Sequence, residues 1–439
     1  MSRLHLLLVI SPLIAYFICV QFAKSYTYFY RDPTSAYFDN NVAFDRWYTA
    51  VRLNETQAFV AQYNQSDSPD FKRRTSSLSE PPYMCVGFSS IARPSGDVYA
   101  RDSLASLLAG LDQKERDLLY AIPLIAHINA SDHPMYSEPW LARVTDRVLT
   151  YKSSETLPKA TYEKIEKLER ERQRTGQPDR QKYLLDYTHL LRVCAATGAR
   201  YVTLLEDDAL AMDGWFHRTR RALNALEQQN GPGGWFYLRL FYTENYLGFN
   251  SDYATWYAAY IVLYSVAAFA IFKLAMLHLQ KFTRAAGFLS KAGPMLSVTA
   301  VLSFILVVVF VFRAGKVALL GNSQGVVYMP KNGCCSQALA WPAEKVETLA
   351  RWFEMQQVGF VDVLAERLAD EKPEGFGDVG GRWAISPSVM QHVGGQSSKG
   401  DGWPADMLWN FEYEFFDAEK LKAEHDIAVK AMGWERKDN

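Results

Sequence analysis

Two apolar stretches in the second half of the chain limit its fold most. One runs from Ala254 to Phe272 and continues past Lys273 to Leu279; the other runs from Met295 to Phe312. Each is close to the roughly 20 residues needed to cross a bilayer as a helix. The loop between them, Gln280 to Pro294, is short and carries Lys281, Arg284 and Lys291. Short loops rich in Lys and Arg stay on the cytoplasmic side. Lys273 can snorkel to the same interface, and Trp256, Tyr257 and Tyr260 fit an aromatic belt at the other one. A third apolar run, Leu4 to Phe22 behind Arg3, reads as an uncleaved anchor rather than a signal peptide, because no small-residue cleavage site precedes Lys24.

Three crossings divide the chain into a tip and anchor (1–24), a first luminal part (25–252), a membrane hairpin (253–312) and a second luminal part (313–439). The spans hold almost no polar residues, which excludes a transport path. With 439 residues, a net charge of −1 and no basic stripe, the chain has no expected nucleic-acid partner. Its expected partner is the lipid bilayer. Sequons at Asn54, Asn64 and Asn129 all fall in the luminal parts. Cys19 lies in the first span, and the four remaining cysteines invite disulfides in an oxidising lumen. Neighbours bridge poorly, so Cys334 and Cys335 are each expected to reach back to Cys85 or Cys194.

Within the luminal parts, strand-like and helix-like runs alternate. Strands are expected at Tyr83 to Ile91, Leu118 to Ile128, Tyr201 to Leu205, Trp235 to Tyr242 and Gly325 to Met329. Helices are expected at Tyr99 to Leu111, Lys182 to Ala196, Ala343 to Gln356 and Val361 to Ala369. This order predicts an α/β domain around a largely parallel sheet, interrupted by the hairpin rather than followed by it.

The strand at Tyr201 runs straight into Glu206, Asp207 and Asp208. Acids clustered at the carboxyl end of a buried strand lie where open α/β sheets bind ligands. Three adjacent carboxylates repel unless a cation shares the site. Transfer from a sugar nucleotide satisfies both conditions. A hard divalent ion such as Mn²⁺ bridges the acids to the diphosphate and stabilises it as it leaves.

At the level of motifs, Lys182-Tyr-Leu-Leu-Asp186-Tyr187, Gly198-Ala-Arg-Tyr201 and Leu205-Glu206-Asp207-Asp208 resemble metal-dependent GT-A glycosyltransferases of the N-acetylglucosaminyltransferase IV type. The likeness continues through Trp235-Phe-Tyr-Leu, Gly359-Phe-Val-Asp362 and Met390-Gln391-His392-Val-Gly394-Gly-Gln-Ser-Ser398. The inserted membrane hairpin resembles the Golgi GPI N-acetylgalactosaminyltransferases of the post-GPI-attachment family. That resemblance implies a Rossmann-like GT-A domain in the Golgi membrane, facing the lumen. It also implies inverting transfer of N-acetylgalactosamine from UDP-GalNAc to a mannose of the GPI-anchor glycan. An N-glycan branching N-acetylglucosaminyltransferase and an inactive glycan-binding relative are the alternatives.

Carried over by residue, the resemblance makes Asp208 and His392 metal ligands for Mn²⁺, with Glu206 and Asp207 supporting metal, ribose or donor sugar. The turn through Gly87, Phe88, Ser89 and Arg93 is expected to hold the UDP-sugar donor. Lys182 and Asp186, four residues apart on one helical face, are further donor candidates, though that spacing also suits a surface ion pair. Inversion needs a carboxylate base. Asp362 at a helix start is the first candidate, Glu244 the reserve, and Asp406 a weaker third.

Overall fold

The computed structural model describes residues 3–65, 73–75, 80–93, 96, 98–152, 157–176, 179–243, 248–249, 251–282, 286–321, 324–329, 335–395 and 408–431. The chain divides into two compact units: Met1–Asp45 with Glu244–Asn322, and Arg46–Thr243 with Ser323–Asn439.

The first unit is helical. Helices Ala254–Phe282 and Ala286–Ala314 pair with each other, and the N-terminal helix Arg3–Ser25 runs along the latter. Tyr16 meets Phe310 edge-on, and Thr299 Oγ1 donates to the Leu8 carbonyl at 3.1 Å. Two segments, Ala254–Leu279 and Ala292–Ala314, are long and apolar enough to cross a membrane. They turn outward large apolar side chains such as Leu263, Val266, Ile271 and Val307. The N-terminal helix has a shorter apolar part, Ile10–Ser25.

The second unit is built on one mixed, mostly parallel sheet. Its strands are β1 (Met84–Ser90), β2 (Leu119–Ile125), β3 (Leu149–Thr150), β4 (Tyr201–Leu205), β6 (Trp235–Arg239), β7 (Gly325–Tyr328), β8 (Ala338–Pro342) and β9 (Gly381–Ser386). The order across the sheet is β3-β2-β1-β4-β8-β6-β9-β7. Strands β3, β2, β1 and β4 are parallel, as the alternation of strands and helices predicts. Strand β8 is inserted antiparallel between β4 and β6. A separate ribbon pairs β5 (Ala209–Ala211) with β10 (Met390–His392), also antiparallel.

Alternation along the strands divides the core into two layers. Met84, Val86 and Phe88 of β1 face helices Tyr48–Asn64, Tyr99–Leu108 and Trp215–Asn230, whereas Cys85 faces helices Arg180–Ala195, Ala343–Gln356 and Val361–Glu371. The same division puts Ala338 and Ala340 of β8 in the first layer, and Leu339 and Trp341 in the second. Gly87 is required by packing between strands, because a Cβ there would stand 2.5 Å from the Ile122 carbonyl oxygen. Arg52 lies buried under the first layer and donates to the carbonyls of Ser106, Ala109 and Ala211. This fixes a helix to the end of β5.

The disulfide pairing differs from expectation. Cys85 of β1 is bonded to Cys194 on helix Arg180–Ala195, with their Cα atoms 5.5 Å apart. Neither is therefore open to the Cys334–Cys335 pair. Cys335 is itself disulfide-bonded, to a partner outside the described residues. A strand and the helix packed on it bring Cys85 and Cys194 face to face, a juxtaposition that spacing in the sequence does not reveal.

The Cys85–Cys194 bond closes a loop with a sequence separation of 109 residues. Replacing both cysteines by alanine is expected to cost about 3–5 kcal/mol of stability. Chemical denaturation with and without reductant checks this: wild type loses stability on reduction, whereas the variant starts low and shows less change.

Candidate active site

Parallel strands β1 and β4 end side by side, with Phe88 in register with Leu205. Beyond that register, Ser89 and Ser90 of β1 lie beside the turn Glu206-Asp207-Asp208. Asp207 and Asp208 are buried there, at 9% and 6% exposure. Arg93 lies against both: its Nη2 is 2.6 Å from Asp207 Oδ1 and 3.2 Å from Asp208 Oδ2. Burial opposes the charge on Arg93, but the two carboxylates outweigh it and raise its pKa. Burial pushes the Asp207 carboxyl up, against the pull of Arg93.

A hydrogen-bond chain aims the rest of the Asp207 carboxylate. The Met135 N–H donates to His133 Nδ1 at 3.2 Å, which leaves Nε2 as the protonated nitrogen. Nε2 donates to Ser90 Oγ at 3.0 Å, and Ser90 donates to Asp207 Oδ2 at 2.6 Å. Burial, with the nearby His127, lowers the His133 pKa to about 4, so the imidazole is neutral at ordinary pH. Ser90 lies within the expected donor turn, but the sequence assigns neither it nor His133 this role. An apolar strand ending in Ser-Ser, and a lone His beside a Pro, carry no signal that Ser90 joins His133 to Asp207, 117 residues beyond the serine.

The ribbon of β5 and β10 joins the acids to the distant His-Val-Gly-Gly segment. His392 stands opposite Ala209, and the Val393 N–H donates to the Asp208 carbonyl at 2.9 Å. These contacts put His392 Nε2 3.4 Å from Asp208 Oδ2. Two ligands in cis positions on one divalent ion, each at about 2.1 Å, stand about 3 Å apart. Gly394 faces the same point. A Cβ on it would lie 2.4 Å from Asp208 Oδ2 and 3.0 Å from His392 Nε2, so only glycine leaves the space clear. The donor set, one carboxylate and one imidazole beside further acids, suits Mn²⁺. Tyr99 completes this wall: Arg93 lies over its ring at 4.8 Å, and its hydroxyl accepts from the Gly395 N–H.

Next to the acids opens a cleft lined by Ser89, Ile91, Arg172, Arg180, Lys182, Tyr187, Glu206, Asp207 and Phe360 among others. Glu206 is held at its mouth by the Ser336 hydroxyl and by its own N–H to the Gln337 carbonyl. Lys182 and Asp186 line this cleft as a buried pair, not a surface one, with Nζ 2.8 Å from Asp186 Oδ2. Nζ also donates to the Ala126 carbonyl and the Tyr151 hydroxyl, which uses all three of its donors. Burial raises the Asp186 pKa, against the pull of Lys182. The pair shapes the cleft wall.

The remaining candidates are spread around this centre. Gly87 and Phe88 lie inside β1, with Phe88 in the core, whereas Ser89 and Arg93, and Ser90 and Ile91 between them, reach the cleft or its acids. Asp362 stands in the first turn of helix Val361–Glu371, two residues past Phe360. Its charge acts on the Tyr187 hydroxyl, as does that of Glu206, although burial is the larger cause of the raised Tyr187 pKa. Asp362 Oδ1 accepts from the Val363 N–H at 2.9 Å, and the residue is not among those lining the cleft. Glu244 and Asp406 lie outside the described residues.

The family model of GPI-N-acetylgalactosamine transferase PGAP4 matches residues 133–374, more than half of the chain. The chain belongs to that family. It is thus a glycosyltransferase of the class that acts on GPI glycans. No curated protein matches the chain. The matched stretch includes Lys182, Asp186, the three acids, both apolar hairpin segments and Asp362, while Arg93 and His392 lie beyond its two ends.

Two outcomes are expected. In Gly394→Ala the added methyl displaces the Asp208 carboxylate by about an ångström, which should cost roughly 100-fold in transferase rate. Unchanged circular dichroism would show that the fold survives. For His133, the folded-state pKa of about 4 lies below the ordinary 6.5. Its contribution to stability is therefore present above pH 6.5 and lost as pH falls towards 4. His133→Asn should flatten that part of the melting-temperature profile. His189 and His217, whose pKa values burial also lowers, keep a residual slope.

Proposed function

We propose that this chain is an inverting, Mn²⁺-dependent glycosyltransferase of GT-A type that moves N-acetylgalactosamine from UDP-GalNAc to a mannose of the GPI-anchor glycan. The observation that carries the reading is the pairing of Asp208 Oδ2 with His392 Nε2 at 3.4 Å, under the bare face of Gly394. Asp208 and His392 would hold the metal. When bound, Mn²⁺ supplies Lewis-acid neutralisation of the departing diphosphate.

The other roles fall to the chain's own residues. Arg93 supplies the positive charge that lets two acids lie together, and a diphosphate competes for the same guanidinium. Ser90, oriented by His133, keeps the Asp207 carboxylate turned towards Arg93. The cleft beside Glu206 takes the nucleotide, and its cations Arg172 and Arg180 suit a polyanionic ligand. Asp362 accepts the proton of the acceptor hydroxyl as the sugar carbon is attacked. Glu244 is the reserve for that step.

The two spans enter the chain between β6 and β7, so one polypeptide carries both the catalytic sheet and its membrane attachment. Residues 1–24 form a third crossing, and residues 25–252 and 313–439 lie together in the Golgi lumen. A lipid-linked acceptor is then confined to the membrane that also holds the enzyme.

Full-length protein with UDP-GalNAc, UDP-GlcNAc or UDP-Gal and a GPI acceptor tests this reading. UDP-GalNAc should be used at least about tenfold faster than the others. Asp208→Ala should lose about 10²–10³ in rate or more. Asp362→Asn should abolish transfer while leaving UDP binding intact. Equal rates for all donors, or full activity in Asp208→Ala, contradicts the assignment.

A further inference from the structure

Away from the acids at β4, three buried side chains from distant parts of the chain converge: Glu115, His217 and His425. Glu115 comes from helix Gln113–Leu118, His217 from the first turn of Trp215–Asn230, and His425 from the middle of Ala418–Ala431. Their available ligand atoms all lie within 4.8 Å of one another. Glu115 and His425 are fully buried, and His217 is 5% exposed.

Part of the cluster is paired within the protein. His425 Nε2 is 2.8 Å from Glu115 Oε2, and its Nδ1 is 3.0 Å from Asp213 Oδ1. The His217 ring stacks on His425 with centroids 5.3 Å apart. The other part is not paired: Glu115 Oε1 and His217 Nδ1 are buried with no hydrogen-bond partner. Buried polar atoms without partners are costly, and two in one cluster point to a shared missing one. The backbone makes room for the approach. Gly214, at φ +69°, stands where a Cβ would be 2.6 Å from His217 Cε1. Gly110, at φ +87°, stands where a Cβ would be 2.7 Å from Asp213 Oδ1.

We propose that Glu115, His217 and His425 bind a zinc ion, with Asp213 holding His425 from behind. Two imidazoles and one carboxylate form a ligand set suited to zinc rather than to Mg²⁺ or Ca²⁺. A carboxylate on the far nitrogen of a ligating histidine is the usual support of such a site. The ion takes the place of the Nε2 proton between His425 and Glu115, and that proton passes to solvent. His217 closes in by about an ångström to reach ligand distance. The site shares no residue with the Asp208 centre. It binds helix Ala418–Ala431 to the segment just after β5, the strand that follows the acids.

Metal analysis of the purified full-length protein in detergent, after incubation with zinc and desalting, tests the proposal. Wild type and Asp208→Ala should each retain about one zinc per chain. His217→Gln and Glu115→Gln should retain only background, and a zinc chelator should lower the melting temperature of wild type but not of His217→Gln. His217 Nδ1 makes no hydrogen bond, so His217→Gln is expected to fold, and its circular dichroism checks this. Background zinc in wild type, or zinc undiminished in both substituted proteins, overturns the proposal and leaves an ion-paired His425.

Discussion

One guanidinium held between two adjacent buried carboxylates is the interaction on which the site depends. Asp207 and Asp208 follow one another at the end of β4, and without a cation neither would remain ionised there at little cost. Arg93 satisfies both and is in turn stacked on Tyr99. Because Tyr99 also accepts from the Gly395 N–H, the cation, the acids and the glycine segment form one connected wall. A site built this way holds two buried negative charges against one fixed cation.

The wall depends on a short piece of secondary structure. The three-residue ribbon of β5 and β10 fixes the register of His392 against Ala209, and so sets the distance from His392 to Asp208. Several buried contacts hold this ribbon from outside. Arg52 donates to Ala211, the Tyr413 hydroxyl to Leu210, and Gln391 to the Asn410 carbonyl and Glu414. Most of the residues around the chemistry thus hold other residues in place, and few face the cleft. The proposed zinc cluster just beyond β5 extends the same pattern.

Legibility from the sequence followed the length of each signal. The acidic turn after β4 and the helix Ala343–Gln356 match the sequence reading, because each is a sustained run of one pattern, whereas the second apolar run, Met295 to Phe312, lies inside a longer helix that begins at Ala286, within the expected polar loop. Strand β8 was missed: five residues, ending in Pro342 and leading straight into a helix, give too few alternations to count. The ribbon strands are shorter still and gain meaning only from pairing across the chain. For the same reason the link from His133 through Ser90 to Asp207 escaped notice and the cysteines were matched wrongly. The Lys182–Asp186 spacing was read correctly as one helical face, but whether that face meets solvent or a cleft is decided by β2 and Tyr151 packed over it.

Electron paramagnetic resonance of Mn²⁺ titrated into the full-length protein, with and without UDP, tests the central claim most directly. The account predicts that UDP draws free Mn²⁺ into a bound signal in wild type, and that Asp208→Ala or His392→Ala removes this effect. UDP binding with unchanged affinity in metal-free buffer, while all Mn²⁺ stays free, would contradict it.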